Sequence, residues 1–499
     1  MASGGERRRA RFYPSLYQLN TRAWLRQRGA ALGRAATLDD IAEADLTRWA
    51  GLGMDYVWCL GVWRTGSVGR EIARAIPELR QAYREALPDL AETDICGSCF
   101  SIAEYAVSAE LGGLPALQRL RERMRAHGLR LILDFVPNHT ARDHPWVNAH
   151  PEFYVQGIEA DLAARPGRFC RIETSAGPRV FAHGRDPYFP PWTDTLQLNY
   201  GAPELQAAIR AELTRIADCC DGVRCDMAML LLPEIFQRTW GIAMPPFWPT
   251  AIEAARATHP EFVFLAEVYW DLEWSLQQQG FDFTYDKRLY DRLRQHQAGP
   301  VRDHFRAALG FQQKLVRFLE NHDEPRAAAT YPPEVHKAAA VLAYAAPGLR
   351  FFHDGQLEGR RVRTPVQLCR APVEPPDPSL QAFYQALLAA LRRPALRTGE
   401  WWLLMCRPAQ NGNASADNFI AFAWEGAGGE RLLVAVNYAD GQSQCYVPLP
   451  FDDLDDGTIR LTDLMSDARY DRGAYSLHSP GLYLDLPAWG HHVFELQRV

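Results

Sequence analysis

The feature that most constrains the fold is a pattern that occurs four times: an apolar, β-rich run that stops at carboxylate or histidine side chains. The runs are LRLILDF ending at Asp134, GVRC before Asp226, EFVFLA before Glu267, and LVRFLE before His322 and Asp323. Helical patterns separate these runs, and strands that alternate with helices predict a parallel sheet. In a parallel barrel the carboxyl ends of the strands converge on one site, whereas the strand bodies serve packing. We therefore predict a (β/α)8 barrel with these polar residues together at one end.

Arg224 and Asp226 lie on one face of the short GVRC strand, because side chains alternate between faces, and Cys225 takes the other face. Burying either charge alone is costly, so the pair needs an explanation. One interpretation is a structural ion pair. The other is a nucleophilic carboxylate that the arginine holds ionised. An isolated pair favours the first interpretation, and the three companion runs favour the second.

The motifs DFVPNH, GVRCDMA, EVYW and ENHD, in this order, resemble the four short motifs of the alpha-amylase superfamily, glycoside hydrolase family 13. The resemblance extends over most of the chain. It implies that Asp226 is the nucleophile, Glu267 the general acid/base and Asp323 a stabiliser of the transition state. It further implies substrate contacts for three residues, His139, Arg224 and His322. Asp134 and Asn138 are expected to brace the site.

The loop CGSCFSIAEYAVSAELGG is similar to the family's loop that places an aromatic ring under the sugar at the cleavage point. Phe100 stands at that place, and Ser101 stands where many relatives have an aspartate. Phe100 is therefore a candidate substrate contact, and the alternative is that its ring only packs the loop. Cys96 and Cys99 have the spacing of a redox pair or half a zinc site. No second such pair accompanies them, so we expect reduced thiols.

Three regions are predicted from changes in sequence texture. Residues 1–139 and 201–395 would form the catalytic barrel. Residues 140–200 have little periodicity and many proline, glycine and aromatic residues, which is typical of a functional insertion. The resemblance implies a small inserted domain at this point, forming one wall of the cleft. Residues 396–499 alternate apolar and polar residues between Gly/Asp turns, which predicts an antiparallel β-sandwich.

Composition excludes several classes of function. A net charge of -6 and a pI near 6.2 provide no basic footprint for nucleic acid. No apolar run approaches membrane-spanning length, so no membrane partner is expected. The N-terminal stretch MASGGERRRARFYPS lacks the apolar segment of a signal peptide, and we expect a frayed tail and a cytoplasmic enzyme.

The resemblance raises the question of a metal, because many alpha-amylases hold a calcium ion between the barrel and the inserted domain. They use the asparagine that corresponds to Asn138, carboxylates of the insertion, and a backbone carbonyl after the nucleophile. Met229 and Leu230 stand here where those relatives carry a lysine–histidine pair. The insertion supplies Asp161, Glu173, Asp186 and Asp194, without a recognisable ligand spacing, whereas calcium takes about six to eight oxygens. We predict no required metal and no cofactor.

The resemblance, together with these carboxylates, implies a retaining glycoside hydrolase that cleaves α-glucosidic bonds through a covalent glycosyl-enzyme intermediate. Two carboxylates about 5–5.5 Å apart would supply the nucleophile and the proton for such a reaction. The expected partner is an α-glucoside or an oligosaccharide. A transglycosidase with the same residues is the alternative, and a catalytically inactive binding scaffold is a remote one. Linkage, chain length and oligomeric state are not encoded in these motifs.

Overall fold

The computed structural model describes residues 12–454 and 456–499, so the tail expected at the N-terminus lies outside the described residues. Eight parallel strands form a closed barrel, with each strand paired to its neighbours in chain order and the last paired to the first. They are β1 (Ser15–Asn20), β2 (Tyr56–Leu60), β3 (Arg130–Phe135), β4 (Gly222–Cys225), β5 (Val263–Ala266), β6 (Phe283–Tyr285), β7 (Leu315–Arg317) and β8 (Leu349–His353). The predicted fold class is confirmed.

Helices connect these strands around the outside of the barrel. Those before β4 are Thr21–Leu32, Glu43–Gly51, Ser67–Ala75, Pro77–Ala86, Gly113–Ala126 and Pro203–Cys219. Those after β4 are Pro233–Trp240, Trp248–Thr258, Glu273–Gln278, Lys287–Arg294, Ala298–His304, Leu309–Gln312, Ala327–Thr330, Pro333–Tyr344, Pro378–Leu391 and Pro394–Thr398. Among the helices that the structure describes, none is both long and apolar enough to cross a membrane.

The second barrel strand is shorter than the sequence indicates. The apolar run through Trp63 predicts a single strand, but β2 ends at Leu60, and Trp63–Thr65 pairs instead with Ile102–Val107 in a separate antiparallel ribbon. Gly61 turns the chain between them with a φ of 81°, a conformation that suits glycine. Its amide donates a hydrogen bond to Asp134 Oδ2 at 2.7 Å, which anchors the turn to β3.

Small antiparallel sheets occupy the long segment between β3 and the helix that precedes β4. His139–Ala141 pairs with Thr195–Gln197, so the two ends of the segment lie side by side. Gly177–Ala182 pairs on one side with Phe169–Thr174 and on the other with Gln156–Gly157. Two short helices, Trp146–Ala149 and Glu159–Ala164, complete the segment. This segment therefore returns to the carboxyl end of the barrel, where its last residues face the strand ends.

The C-terminal region consists of two antiparallel sheets that share an apolar core. The larger contains Glu400–Leu404, Phe419–Glu425, Arg431–Asn437, His491–Arg498, Thr458–Asp463 and Arg469–Gly473, and the smaller contains Arg407–Pro408, Ser443–Val447 and Leu482–Leu486. Alternation predicts one solvated face, but Phe419–Trp424 is buried on both faces. One face packs on the smaller sheet, and the other joins the barrel core, where Trp424 Nε1 donates to the carbonyl of Ala345 at 3.0 Å.

Candidate active site

One guanidinium holds two of the predicted catalytic carboxylates. Arg224 Nη1 lies 2.5 Å from Asp226 Oδ1, and Arg224 Nη2 lies 2.8 Å from Glu267 Oε2. The first contact follows from the alternation of side chains on β4, and the second from the pairing of Cys225 with Ala266, which brings the ends of β4 and β5 together. Arg224 is 0% exposed, so its charge depends on these partners. The geometry therefore ties Asp226 and Glu267 into one cluster.

Aromatic rings enclose the same guanidinium. Its central carbon lies 5.2 Å from the ring centroid of Trp58, 5.1 Å from that of Phe100 and 5.8 Å from that of Tyr285. Ring faces attract a cation, and here they also exclude water from it. Burial disfavours the charged form of Arg224, but the adjacent carboxylates outweigh burial and raise its pKa above the ordinary value. A permanent positive charge thus lies beneath the carboxylates.

Glu267 accepts hydrogen bonds at both oxygens. The Tyr269 hydroxyl donates to Oε1 at 2.8 Å, and the backbone amide of Met227 donates to Oε2 at 2.7 Å. Met227 has a φ of 42°, and for a residue other than glycine this left-handed conformation costs about 1–3 kcal/mol. Burial raises the pKa of Glu267 to about 7, since desolvation outweighs the attraction of Arg224. Such a carboxyl group carries a proton over much of the range below neutrality.

Asp323 is in a different environment from the other two carboxylates. Its side chain is 44% exposed, and its Oδ2 lies 3.0 Å from Nε2 of His322. The surrounding protein raises the pKa of Asp323, but the charge and hydrogen bond of His322 outweigh this effect and lower it to about 2. The buried amide nitrogen of Gln18, at the end of β1, lies 2.8 Å from His322 Nδ1. This contact holds the ring of His322 with Nε2 toward Asp323.

A cavity of about 320 Å³ lies above these residues, and it contains most of the predicted site. Its lining residues are Ser98, Phe100, His139, Trp192, Asp194, Thr195, Asp226, Met227, Glu267, Tyr269, Asp323, Val366 and Gln367. Phe100 is among the lining residues, and its ring centroid lies 5.3 Å from that of His322. Burial lowers the pKa of His139 to about 4, so its ring is neutral and can donate and accept hydrogen bonds.

A larger cavity, about 560 Å³, lies at the opposite end of the barrel. Residues at the beginnings of β3, β4 and β5 line it, together with Arg121 and His259. Arg121 is already bound there to Asp221 and to the backbone carbonyl of Asp218. In barrels of this kind, chemistry takes place at the carboxyl ends of the strands, so size alone does not make this cavity the active site.

Asp134 and Asn138 lie beneath the cavity, where they make structural contacts. Asp134 is fully buried, and its Oδ1 accepts a hydrogen bond from Trp58 Nε1 at 2.9 Å. Asn138 pairs with Gln197 through two amide hydrogen bonds, with Asn138 Nδ2 donating to Gln197 Oε1 at 3.2 Å and Gln197 Nε2 donating to Asn138 Oδ1 at 3.0 Å. These contacts join β3 to the end of the inserted segment.

All ten cysteines are free thiols. Cys96 and Cys99, which share redox-like spacing in the sequence, are not bonded to each other. The thiol adjacent to Cys96 belongs to Cys369 on a neighbouring loop, because Ile95 and Leu368 are paired across an antiparallel bridge. The Cys369 thiol is the main cause that lowers the pKa of Cys96 to about 7. The spacing of Cys96 and Cys99, which is that of a redox pair, therefore does not correspond to a bond between these two thiols.

Five residues of the site were not predicted as such. Tyr269 and Met227 hold Glu267, Gln18 holds His322, and Trp192 and Asp194 form the wall contributed by the inserted segment. Tyr269 had a signal in the sequence, because it follows Glu267 by two residues. Gln18 had a weaker one, as a polar residue near the end of an apolar strand. The position of Met227 depends on its backbone conformation, which the sequence does not reveal.

Comparison with known proteins agrees with this arrangement. The family model of the alpha-amylase catalytic domain matches residues 95–161. Alpha-amylase MalA of Haloarcula japonica is 25% identical over 360 residues, which are 70% of this chain and 49% of that protein. The alpha-1,4-glucan:maltose-1-phosphate maltosyltransferase of Burkholderia pseudomallei is 28% identical over 317 residues, 60% of this chain and 24% of the relative. The chain thus spans half or less of the length of these curated relatives.

The fold comparison covers nearly the whole chain. The noncanonic maltogenic alpha-amylase AmyB of Thermotoga neapolitana superposes with a TM-score of 0.71 at 17% identity, over 97% of this chain and 99% of that one. The alpha-amylase of Lactobacillus plantarum superposes with a TM-score of 0.66 at 20% identity, over 97% and 98% of the two chains. The fold and the site define a (β/α)8 barrel with paired carboxylates at its carboxyl end. Residues 95–161 match the alpha-amylase catalytic-domain model, the chain is similar in sequence to Alpha-amylase MalA, and the solved structures share its fold.

Proposed function

We propose that this protein is a retaining glycoside hydrolase that cleaves α-glucosidic bonds in short α-1,4-linked glucans. The observation that carries the proposal is the shared contact of Asp226 and Glu267 with one guanidinium. Retaining enzymes keep their two carboxyl groups about 5–5.5 Å apart, whereas inverting enzymes need about 6.5–9.5 Å to admit a water molecule. Two carboxylates within reach of a single guanidinium support the shorter spacing.

In the first step, an oxygen of Asp226 attacks the anomeric carbon, and the bond from that carbon to the leaving oxygen breaks. Glu267 gives its proton to the leaving oxygen, so the departing sugar is a neutral alcohol. In the second step, Glu267 takes a proton from water, whose oxygen attacks the anomeric carbon and releases Asp226 as a carboxylate. Asp323, held ionised by His322, accepts hydrogen bonds from sugar hydroxyls that tighten in the transition state.

The environments of the two carboxyl groups support this division of roles. A pKa of about 7 keeps Glu267 protonated often enough to act as the acid. Arg224 Nη1 makes its hydrogen bond to Asp226, which stabilises the ionised form that the nucleophile requires. Burial raises the pKa of Asp226, and the hydrogen bond from Arg224 opposes that rise.

Transglycosylation is a second candidate, because the Burkholderia relative is a maltosyltransferase. The same residues would act, and a sugar hydroxyl would replace water in the second step. The inactive scaffold is disfavoured, since all three carboxylates line the cavity.

We further propose that the enzyme works without calcium. The side chain of Asn138 is hydrogen-bonded to the amide of Gln197. This amide is a neutral group, whereas a calcium site needs carboxylate oxygens. Met229 and Leu230 are buried apolar residues after the nucleophile. Within the described residues, no group of three or more His, Cys, Asp or Glu side chains is arranged to hold a metal ion.

One experiment tests the reaction class. The protein is incubated with maltose, malto-oligosaccharides, trehalose, sucrose or soluble starch, and the products are separated over time. Hydrolysis yields glucose and shorter oligosaccharides, whereas transfer yields products longer than the substrate or new disaccharides. Proton NMR of the first product tests the mechanism, because retention releases the α-anomer and inversion the β-anomer. The Asp226→Asn variant, prepared in parallel, controls for contaminating glycosidases.

A further inference from the structure

Asp194 is a fourth carboxylate in the active-site cavity, and the reaction as proposed does not use it. It immediately precedes the short strand Thr195–Gln197 at the end of the inserted segment. The cavity that contains Asp226, Glu267 and Asp323 is also lined by Asp194. Asp194 therefore borders the space that a sugar would occupy.

The backbone at this position is held by specific contacts. The buried hydroxyl of Ser101 donates to the carbonyl of Asp194 at 2.8 Å. Gly69 lies against the same pair, because a Cβ at Gly69 would come 2.9 Å from Ser101 Oγ and 3.6 Å from Asp194 Cβ. A larger residue at 69 would crowd Ser101 and push the wall outward. The hydrogen bond from Ser101 and the close approach of Gly69 thus hold Asp194 at the wall of the cavity.

Within residues 12–454 and 456–499 the Asp194 carboxylate has no ion pair within 4 Å and no hydrogen bond from another residue; its own backbone amide contacts it, and the charge of Arg142 acts on it from a greater distance. Burial raises the pKa of Asp194 to about 6. Other aspartates near this segment differ, since Asp186 accepts from the amides of Tyr188 and Phe189, and Asp143 accepts from the amide of Ser67. A desolvated carboxylate without a partner destabilises the fold, so a structural role does not account for it.

The charge around the cavity indicates what the partner is. Four carboxylates line it, and none of its lining residues is a lysine or an arginine. Arg224 lies below the cavity, and its guanidinium is already bound to the carboxylates of Asp226 and Glu267. A phosphorylated or acidic sugar would meet repulsion on several sides, whereas the hydroxyls of a neutral sugar are donors that a carboxylate accepts.

We propose that Asp194 binds hydroxyl groups of the sugar substrate and restricts the enzyme to uncharged sugars. Its two oxygens suit two neighbouring hydroxyls of one ring. This inference rests on the proposed function, because it places a neutral α-glucoside in the cavity. It also separates this chain from its maltosyltransferase relative, whose name specifies maltose 1-phosphate.

The test compares wild type, Asp194→Asn and Asp218→Asn with 4-nitrophenyl α-maltoside as substrate and α-glucose 1-phosphate as inhibitor. Asp218 is the matched control, because it is 68% exposed and bonded to His259, far from the cavity. Losing a charged hydrogen-bond acceptor should raise KM of Asp194→Asn roughly tenfold. Removing the charge should lower the Ki for the phosphate roughly threefold or more. The melting temperature should stay the same or rise, since an unpaired charge is removed.

The opposite directions of the two changes distinguish a binding role from a structural one. A structural role would weaken both ligands together and lower the melting temperature, and that result would overturn the proposal. Equal KM and Ki for Asp194→Asn and wild type would overturn it as well, while leaving hydrolysis intact. If the wild type neither hydrolyses the maltoside nor binds maltose in calorimetry, the proposed function fails, and this inference fails with it.

Discussion

The hydrogen bond from Tyr269 to Glu267 leads to a quantitative prediction about pH. Glu267 Oε2 receives the amide of Met227 and lies beside Arg224, so Oε1 is the oxygen left to carry the catalytic proton. Among the described residues, the one hydrogen bond that reaches Oε1 comes from the Tyr269 hydroxyl at 2.8 Å. The Tyr269→Phe variant removes this donor and keeps the ring. Without it, the ionised form of Glu267 is less stable, and the pKa of the group rises.

The expected size of the shift follows from the strength of the bond. A hydrogen bond to a charged group contributes about 1.5–3 kcal/mol, and the protonated acid keeps part of it with the phenol as acceptor. A remaining difference of about 1.4 kcal/mol corresponds to about one pKa unit. Activity in the first step requires protonated Glu267, so it falls as pH rises through the pKa of about 7. In Tyr269→Phe this alkaline limb should move up to about pH 8.

The assay is kcat/KM for maltotriose, whose sugar leaving group needs the acid, measured at constant ionic strength across the neutral range. Tyr188→Phe is the control, because Tyr188 is 59% exposed and its loss of a hydroxyl should leave the profile unchanged. A weaker acid also protonates the leaving oxygen less readily, so the plateau at lower pH should decrease modestly. An alkaline limb that stays in place, or moves to lower pH, would refute the reasoning about Tyr269.

Four further predictions follow from the assigned roles. Asp226→Asn should lower kcat by several orders of magnitude while the fold stays intact, and wild-type turnover in a clean preparation would contradict the nucleophile assignment. Glu267→Gln should be nearly inactive on maltose but partly active on glucosides with activated leaving groups, which need no acid, and equal losses on both would exclude Glu267 as the acid. Chelation of divalent ions should leave activity and melting temperature unchanged, and a loss of both that only calcium restores would show a required site. Maltotriose should be hydrolysed faster than granular starch, because the cavity measures about 320 Å³, and the reverse order in a reducing-sugar assay would be inconsistent with this pocket.

The sequence was sufficient to predict the barrel, because four apolar runs separated by helical patterns stop at carboxylate or histidine side chains. The positions of Asp226, Glu267 and Asp323 follow from the same pattern, since the carboxyl ends of parallel strands meet at one face. The wall of the cavity was less predictable. Asp194 is one of several acidic residues in an irregular segment, and only the fold shows that it reaches the cavity without a partner. The two buried faces of Phe419–Trp424 likewise depend on which elements pack on the sheet, which alternation within one strand does not specify.

The residues that distinguish the proposed acid from the proposed nucleophile were also hidden in the sequence. Asp226 and Glu267 both follow short apolar strands, and both contact Arg224. The difference arises at Met227, where a left-handed backbone turns the amide toward Glu267, and at Tyr269, whose hydroxyl binds the other oxygen. These two donors fix both oxygens of Glu267 so that a proton is held in one orientation. Within the described residues Asp226 has only its arginine partner, on Oδ1, so the two carboxyl groups differ in their hydrogen bonds although their strands look alike, and this difference matches the roles proposed for them.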